Sequence, residues 1–121
     1  MKVLIVEDDP DGAAVIGMIL DAAGIESTVA RTAEMAMAIL EKDARSFSGA
    51  IVDLGLPGMD GFEFLEAARE HPAFADMPLV AATAFHTPEL KDRALTRGFN
   101  AYFAKPFDPD VLVKTLQGLI T

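Results

Sequence analysis

The sequence of 121 residues contains no cysteine, no tryptophan and a single tyrosine. Without cysteine, disulfide scaffolds, thiolate zinc sites and cysteine nucleophiles are excluded, and a reducing compartment is compatible with the chain. Long apolar runs are absent too, because the first run ends at Glu7 and none approaches the roughly 18 residues of a membrane span. We therefore expect no signal peptide, no membrane partner and a cytoplasmic location.

Positive charge is scarce, since 10 Lys and Arg against 19 Asp and Glu give a formal net charge of −9. Nucleic acids and anionic membranes are bound by clusters of positive charge, so this balance disfavours both as partners. The length allows one domain with one hydrophobic core and is too short for a second. Apolar residues make up 51% of the sequence, which is sufficient for that core.

Five short apolar runs alternate with five amphipathic helical patterns along the chain. The runs predict strands at residues 3–6, 26–30, 50–52, 79–82 and 101–104. The helix signals between them include Pro10 at a first turn, Thr32 and Thr87 as N-caps, and Gly24 and Gly98 as stops. Five βα units require parallel pairing with right-handed crossovers. We therefore predict an α/β fold with a doubly wound parallel five-stranded sheet, in the common flavodoxin-like (βα)5 order 2-1-3-4-5.

Acids, a threonine or a lysine follow four of the five predicted strands, while the second strand ends in Ala30-Arg31 and offers no comparable acid. In such folds ligands bind beyond the carboxyl ends of the strands. These residues are Glu7, Asp8 and Asp9 after the first strand, Asp53 after the third, Thr83 after the fourth and Lys105 after the fifth. Strands one and three are neighbours in the expected order, so at least three carboxylates should crowd together. Each like-charge pair costs about 3 kcal/mol at about 5 Å and an effective dielectric of about 20. A raised pKa or a hard divalent cation such as Mg²⁺ relieves this repulsion, which Lys105 alone cannot balance.

These groups suit phosphoryl transfer to a carboxylate. Asp53 can attack phosphorus, while Mg²⁺ and Lys105 neutralise the phosphoryl oxygens and the Thr83 hydroxyl donates a hydrogen bond to one of them. An ionised carboxylate is already a nucleophile, so no general base is needed.

The chain resembles a response-regulator receiver domain over its whole length. The resemblance rests on the acid pair after the first strand, on the segment 53–61 (DLGLPGMDG), on Thr83-Ala84, and on Tyr102 ahead of Lys105-Pro106. It implies that Asp53 accepts a phosphoryl group from a histidine kinase, a histidine phosphotransfer protein or a small phosphodonor. Asp8, Asp53 and the backbone carbonyl of Gly55 would ligate Mg²⁺, with Mn²⁺ as an alternative. Glu7 would act largely through a bound water.

The resemblance also implies a switch. Thr83 would move toward the phosphoryl group and Tyr102 would swing into the vacated space, while Lys105, followed by a cis peptide bond, would contact the phosphate. The face formed by helix four, strand five and helix five would then bind a downstream protein, with the domain a monomer or a phosphorylation-dependent dimer. As a hypothesis, Gly55 leaves the approach of water to the phosphoryl group open and Phe85 partly covers it.

Each of these residues also has an ordinary structural interpretation. The three acids can cap a helix, with Asp9 in place of Glu7 as the alternative register of the metal-binding pair. Asp53 can be a turn residue, and Tyr102 a packed aromatic. Both histidines, His71 and His86, are interpreted as exposed loop or helix-end residues. The methionines are interpreted as core filler or loop anchors, namely Met18, Met35, Met37, Met59 and Met77.

The last helix is expected to end at Thr121, which predicts a free-standing receiver over residues 1–121 without an effector domain. A receiver excised from a larger hybrid protein is the alternative. A haloacid-dehalogenase-like phosphatase is a further one, but such enzymes need a second acid where this chain has Gly55. A degenerate receiver used only for protein binding usually loses an acid, the Thr or the Lys, and all are present here. The expected protein is therefore not an enzyme beyond self-phosphorylation and slow self-dephosphorylation.

Overall fold

The computed structural model describes residues 1–120, in which strands and helices alternate along the chain. The strands are β1 (Lys2–Val6), β2 (Glu26–Ala30), β3 (Gly49–Asp53), β4 (Leu79–Thr83) and β5 (Ala101–Ala104). The helices are α1 (Pro10–Ala22), α2 (Ala33–Asp43), α3 (Gly61–Glu70), α4 (Pro88–Arg97) and α5 (Pro109–Ile120). A short 3-10 helix, Ala44–Ser46, which the sequence did not predict, follows α2.

All four strand pairings are parallel, and the sheet has the order β2-β1-β3-β4-β5. This confirms the predicted flavodoxin-like topology. Strands β1 and β3 are paired from Val3 opposite Gly49 to Val6 opposite Val52, so their carboxyl ends stop side by side. The chain leaves these two strands toward opposite sides of the sheet, which makes this edge the point where strand order reverses.

Helices cover both faces of the sheet. Successive residues of a strand point to opposite faces, so each strand contributes side chains to both layers. On one face Leu4 and Val6 pack with buried residues of α2, α3 and α4. On the other face Val3 and Ile5 pack with residues of α1 and α5, among them Leu20 and Leu112. The central strands are therefore buried on both sides, as their continuous apolar runs predict.

The predicted helix signals act where the sequence places them. Thr32 and Thr87 accept hydrogen bonds from the third residue of α2 and α4, and Gly24 and Gly98 adopt positive φ angles of 74° and 126°. One interpretation was wrong: Met18 is 71% exposed and Met35 46% exposed, so neither fills the core. The predicted end of the last helix, Thr121, lies outside the described residues.

None of the helices within residues 1–120 combines the length and the hydropathy that crossing a membrane requires.

Candidate functional site

The carboxyl ends of β1 and β3 bring the predicted acids together. Because Val6 and Val52 are partners in the parallel ladder, Glu7 and Asp53 follow at neighbouring positions. One carboxylate oxygen from each of Glu7, Asp8 and Asp53 lies within 4.8 Å of those of the other two. Glu7 is buried, Asp53 is half-buried and Asp8 is exposed, so the cluster opens to solvent on one side. Three carboxylates in this arrangement form an oxygen donor set of the kind that hard divalent cations prefer.

Lys105 reaches the same cluster from the end of β5. Its backbone N–H donates to the carbonyl of Thr83 at 2.8 Å, which extends the β4–β5 ladder by one step and aims the side chain inward. The Nζ atom forms an ion pair with Glu7, and it lies 3.5 Å from Oδ2 of Asp53. The peptide bond between Lys105 and Pro106 is cis, as the resemblance implies.

The electrostatics of the cluster follow from its burial and from its shortage of positive charge. Burial, together with a hydrogen bond to Asp53, raises the pKa of Glu7 from 4.5 to about 7. Burial opposes ionisation of Asp53 as well, but hydrogen bonds from Glu7 and the Gly55 N–H and the charge of Lys105 outweigh it and lower the Asp53 pKa. Burial likewise works against the charge of Lys105, yet its two acidic partners raise the Lys105 pKa. The expected relief of crowding therefore takes the form of a raised pKa at Glu7 when no cation is bound.

The loop after β3 holds the Asp53 carboxylate in place. The backbone N–H of Gly55 donates to Oδ1 of Asp53 at 2.9 Å, and the N–H of Leu54 donates to the carbonyl of Ala82 at 2.9 Å. At Gly61 an added Cβ would come within 2.8 Å of the Asp53 carbonyl oxygen, so only glycine allows α3 to begin this close to Asp53. Asp53 is thus fixed from both its side chain and its backbone.

Asp9 plays a different part from the other two acids of the first strand end. It is the N-cap of α1, and its side chain accepts hydrogen bonds from the N–H groups of Asp11 and Gly12, each at 3.3 Å. Helix capping is therefore the function of Asp9, while Glu7 and Asp8 face Asp53. This geometry favours the register in which Glu7 and Asp8 form the pair.

Thr83 ends β4 next to the cluster and is buried. Its Oγ1 accepts a hydrogen bond from the N–H of Phe85 at 3.0 Å, which closes the turn toward α4. The Phe85 ring is 80% exposed, and together with Gly55, Thr83 and Arg93 it lines a surface cavity of about 240 Å³ between β3, β4 and α4. The Phe85 side chain thus lies at the edge of the site and does not fill it.

The sequence interpretation missed a contact at Tyr102. The Tyr102 hydroxyl lies 2.9 Å from Nδ1 of His86, and the two rings are tilted with centroids 5.5 Å apart. The Tyr102 ring is half-buried and packs against the core cluster of the α2–α3–α4 side. His86 is exposed, as predicted, but it has a specific partner. Its position three residues after Thr83 was the only signal in the sequence.

The fold, the acid cluster and the lysine define a response regulator receiver domain, and the family model described as "Response regulator receiver domain" matches residues 3–117. The chain belongs to this family, which serves two-component signalling. It is 37% identical over 117 residues to an uncharacterised 14.6 kDa protein of Leptolyngbya boryana, covering 97% of this chain and 88% of that protein. Other curated relatives are longer, and this chain spans between 14% and 51% of their length.

Solved structures agree with this assignment. The chemotaxis protein CheY4 of Vibrio cholerae is 35% identical, with a TM-score of 0.87 over 98% of this chain and 97% of that one. The receiver domain of the sensor histidine kinase PA1611 from Pseudomonas aeruginosa PAO1 is 28% identical, with a TM-score of 0.84 over 98% and 96%. That structure has a magnesium ion coordinated in its active site cleft.

Proposed function

We propose that this domain is a phosphorylation-activated switch of a two-component phosphorelay, in which Asp53 accepts the phosphoryl group. The observation that carries the proposal is the arrangement around Asp53. Its carboxylate is half-buried, accepts a hydrogen bond from Gly55, and lies beside Lys105, Glu7 and Asp8. Its lowered pKa keeps the nucleophile ionised near neutral pH.

The proposed step is a displacement at phosphorus. An Asp53 carboxylate oxygen forms the new P–O bond while the P–N bond to the phosphohistidine of a histidine kinase or phosphotransfer protein breaks, and the electron pair leaves with the imidazole. With acetyl phosphate as the donor, the leaving group is acetate. Lys105 stays beside the acceptor to neutralise phosphoryl oxygens, and the Thr83 hydroxyl is available to donate to one of them.

The residues present fit a magnesium ion. Three carboxylates share one positive side chain, and burial raises the pKa of Glu7 because it makes the negative charge of this carboxylate costly. We propose that Asp8, Asp53 and the Gly55 carbonyl would hold Mg²⁺ or Mn²⁺ directly and Glu7 through water. A bound Mg²⁺ supplies charge neutralisation for the entering phosphoryl group.

The output is proposed to be protein binding in the cytoplasm. Thr83 and Tyr102 connect the acceptor to the face formed by α4, β5 and α5, on which a downstream protein would be recognised. The upstream partner would be a histidine kinase or a histidine phosphotransfer protein. The domain would act as a monomer or as a dimer formed on phosphorylation.

Intact mass measurement after incubation with acetyl phosphate and Mg²⁺ tests the proposal. We expect one added phosphoryl group on the wild type, none on Asp53→Asn, and none when Mg²⁺ is removed by EDTA. Asp60→Asn is the matched control, because this acid lies in the same loop, its side chain caps α3 by accepting from the N–H of Glu63, and Asn caps equally well. It should be modified like the wild type. Modification of Asp53→Asn at the wild-type rate would refute Asp53 as the acceptor.

Steady release of phosphate from small phosphomonoesters over many turnovers would favour a phosphatase instead. Gly55 argues against it, because a general acid/base is needed at that position and glycine has no side chain.

A further inference from the structure

The connection between β4 and α4, residues 84–87, is tied down at three points. At its start the Phe85 N–H donates to Oγ1 of Thr83 at 3.0 Å. At its end Thr87 caps α4 by accepting from the N–H of Leu90 at 3.0 Å. Between them, the His86 imidazole is hydrogen bonded to the Tyr102 hydroxyl at 2.9 Å. This third tie is the one that links the connection to β5.

The first and third ties are coupled through the short backbone between Phe85 and His86. In the proposed function the Thr83 hydroxyl turns toward the phosphoryl group. Turning Oγ1 removes the acceptor of the Phe85 N–H, which releases the start of the connection. The His86–Tyr102 bond, which holds the middle of the connection to the edge strand β5, is then the contact that opposes further displacement of the connection.

The backbone carbonyl of Thr83 also contacts a residue of the candidate site, Lys105. Thr83 accepts the backbone hydrogen bond of Lys105 at 2.8 Å, so the two residues that face the phosphoryl group are joined at the base of β4 and β5. Tyr102 lies on β5 three residues before Lys105, with its ring against the core and its hydroxyl at the surface. Thr83 is therefore close in the chain to His86 and is hydrogen bonded to the chain just after the strand that carries Tyr102.

We propose that His86 is a positioning residue that holds Tyr102 and the β4–α4 connection in the unphosphorylated arrangement, so that phosphorylation acts against this hydrogen bond. The inference rests on the proposed function. A hydrogen bond made in only one of two states shifts their equilibrium toward that state. Removing it should favour the phosphorylated arrangement by about fivefold, the effect of one hydrogen bond of ordinary strength.

The contact joins two side chains, so a substitution at either one can remove it. The test therefore uses substitutions at a single pH. His86→Leu keeps side-chain bulk and removes the hydrogen bond. His86→Asn places an amide atom near the position of Nδ1 and can retain it. His71→Ala is the matched control, because this other histidine stacks on Phe74 away from the connection.

Tyr102 reports on the contact directly, since the sequence has no tryptophan and no other tyrosine. Each variant is titrated with beryllofluoride, a non-covalent phosphoryl mimic, in the presence of Mg²⁺ while tyrosine emission is recorded. Before any mimic is added, His86→Leu should change the emission and His71→Ala should not. In the titration, His86→Leu should half-saturate at a concentration lower by about fivefold, with His86→Asn and His71→Ala close to the wild type.

Half-saturation of His86→Leu at or above the wild-type concentration would overturn the inference. So would an equal shift in His86→Leu and His86→Asn, because the effect would then come from the ring and not from the hydrogen bond. If the wild type neither binds beryllofluoride nor accepts phosphate from acetyl phosphate, the proposed function fails and the inference fails with it. A wild type that responds, with no shift in His86→Leu, refutes the inference alone.

Discussion

Replacing Glu7 by glutamine should make the domain more stable and less functional. Glu7 is 1% exposed and lies beside Lys105 and Asp53, so its ionisation in the folded state occurs largely out of water. Glutamine has the same shape, retains an oxygen that Lys105 can contact, and keeps a donor toward Asp53. The substitution therefore removes the buried negative charge with little change in packing.

The size of the effect follows from the pKa of Glu7, which burial raises from 4.5 to about 7. Below pH 4.5 the carboxyl is neutral in both the folded and the unfolded state and affects stability little. As the pH rises from 4.5 to 7 the unfolded chain loses this proton first, so the free energy of unfolding falls, and the loss is complete above about pH 7. The full difference corresponds to about 3 kcal/mol, and we expect Glu7→Gln to recover between about 1 and 3 kcal/mol at pH 8.

Urea unfolding in EDTA at pH 5 and pH 8 measures this difference. Glu7→Gln should exceed the wild type in unfolding free energy at pH 8, and the gain should shrink toward pH 5. Glu41→Gln, a substitution of an exposed acid on α2, should show neither effect. Equal or lower stability of Glu7→Gln at pH 8 would refute the argument that the buried carboxylate opposes folding. In the presence of Mg²⁺, Glu7→Gln should also be phosphorylated more slowly than the wild type.

Two further predictions each compare a residue that has specific contacts in the structure with a control residue of the same type. Asp8→Asn should weaken Mg²⁺ binding at least about tenfold by titration calorimetry, because one of the proposed charged ligands is lost. Asp9→Asn should leave the affinity near the wild-type value, since asparagine also caps helices; equal losses in both variants would contradict the assignment of Asp9 as a cap. Arg69→Ala should lower the free energy of unfolding by about 2 to 4 kcal/mol in urea, because the guanidinium donates to the carbonyls of Ala75, Met77 and Gly98 and to the Asn100 side chain. Arg45→Ala, at an exposed position, is its control and should leave the free energy of unfolding unchanged. A similar loss in both variants would show that the Arg69 hydrogen bonds add no stability of their own.

Local signals explain why the fold was predictable. The apolar runs of the strands, the N-caps Thr32 and Thr87 and the stops Gly24 and Gly98 act within a few residues of their own positions. Strand order followed from general rules of parallel sheets. Exposed methionines such as Met18 could not be predicted, because the exposure of one apolar side chain depends on which helix packs beside it.

The candidate site shows the same division. Its positions at the strand ends were visible in the sequence, since parallel strands place their carboxyl ends at one edge. The family resemblance assigned the pair to Glu7 and Asp8, but only the structure gives the direction of each side chain, with Asp9 capping α1 and the other two facing Asp53. The contact between His86 and Tyr102 joins residues of a loop and an edge strand, and no spacing rule predicts it.

The sequence by itself determined the order of elements, the family and the residues gathered at the carboxyl edge of the sheet, because periodicity, capping and strand ends are local properties of the chain. Tertiary structure alone decided the burial of Glu7, the rise of its pKa to about 7 that burial mainly causes, and its contact with Lys105, which opposes that rise. These properties depend on distances between residues far apart in the chain, and only the packing of the helices against the sheet sets those distances.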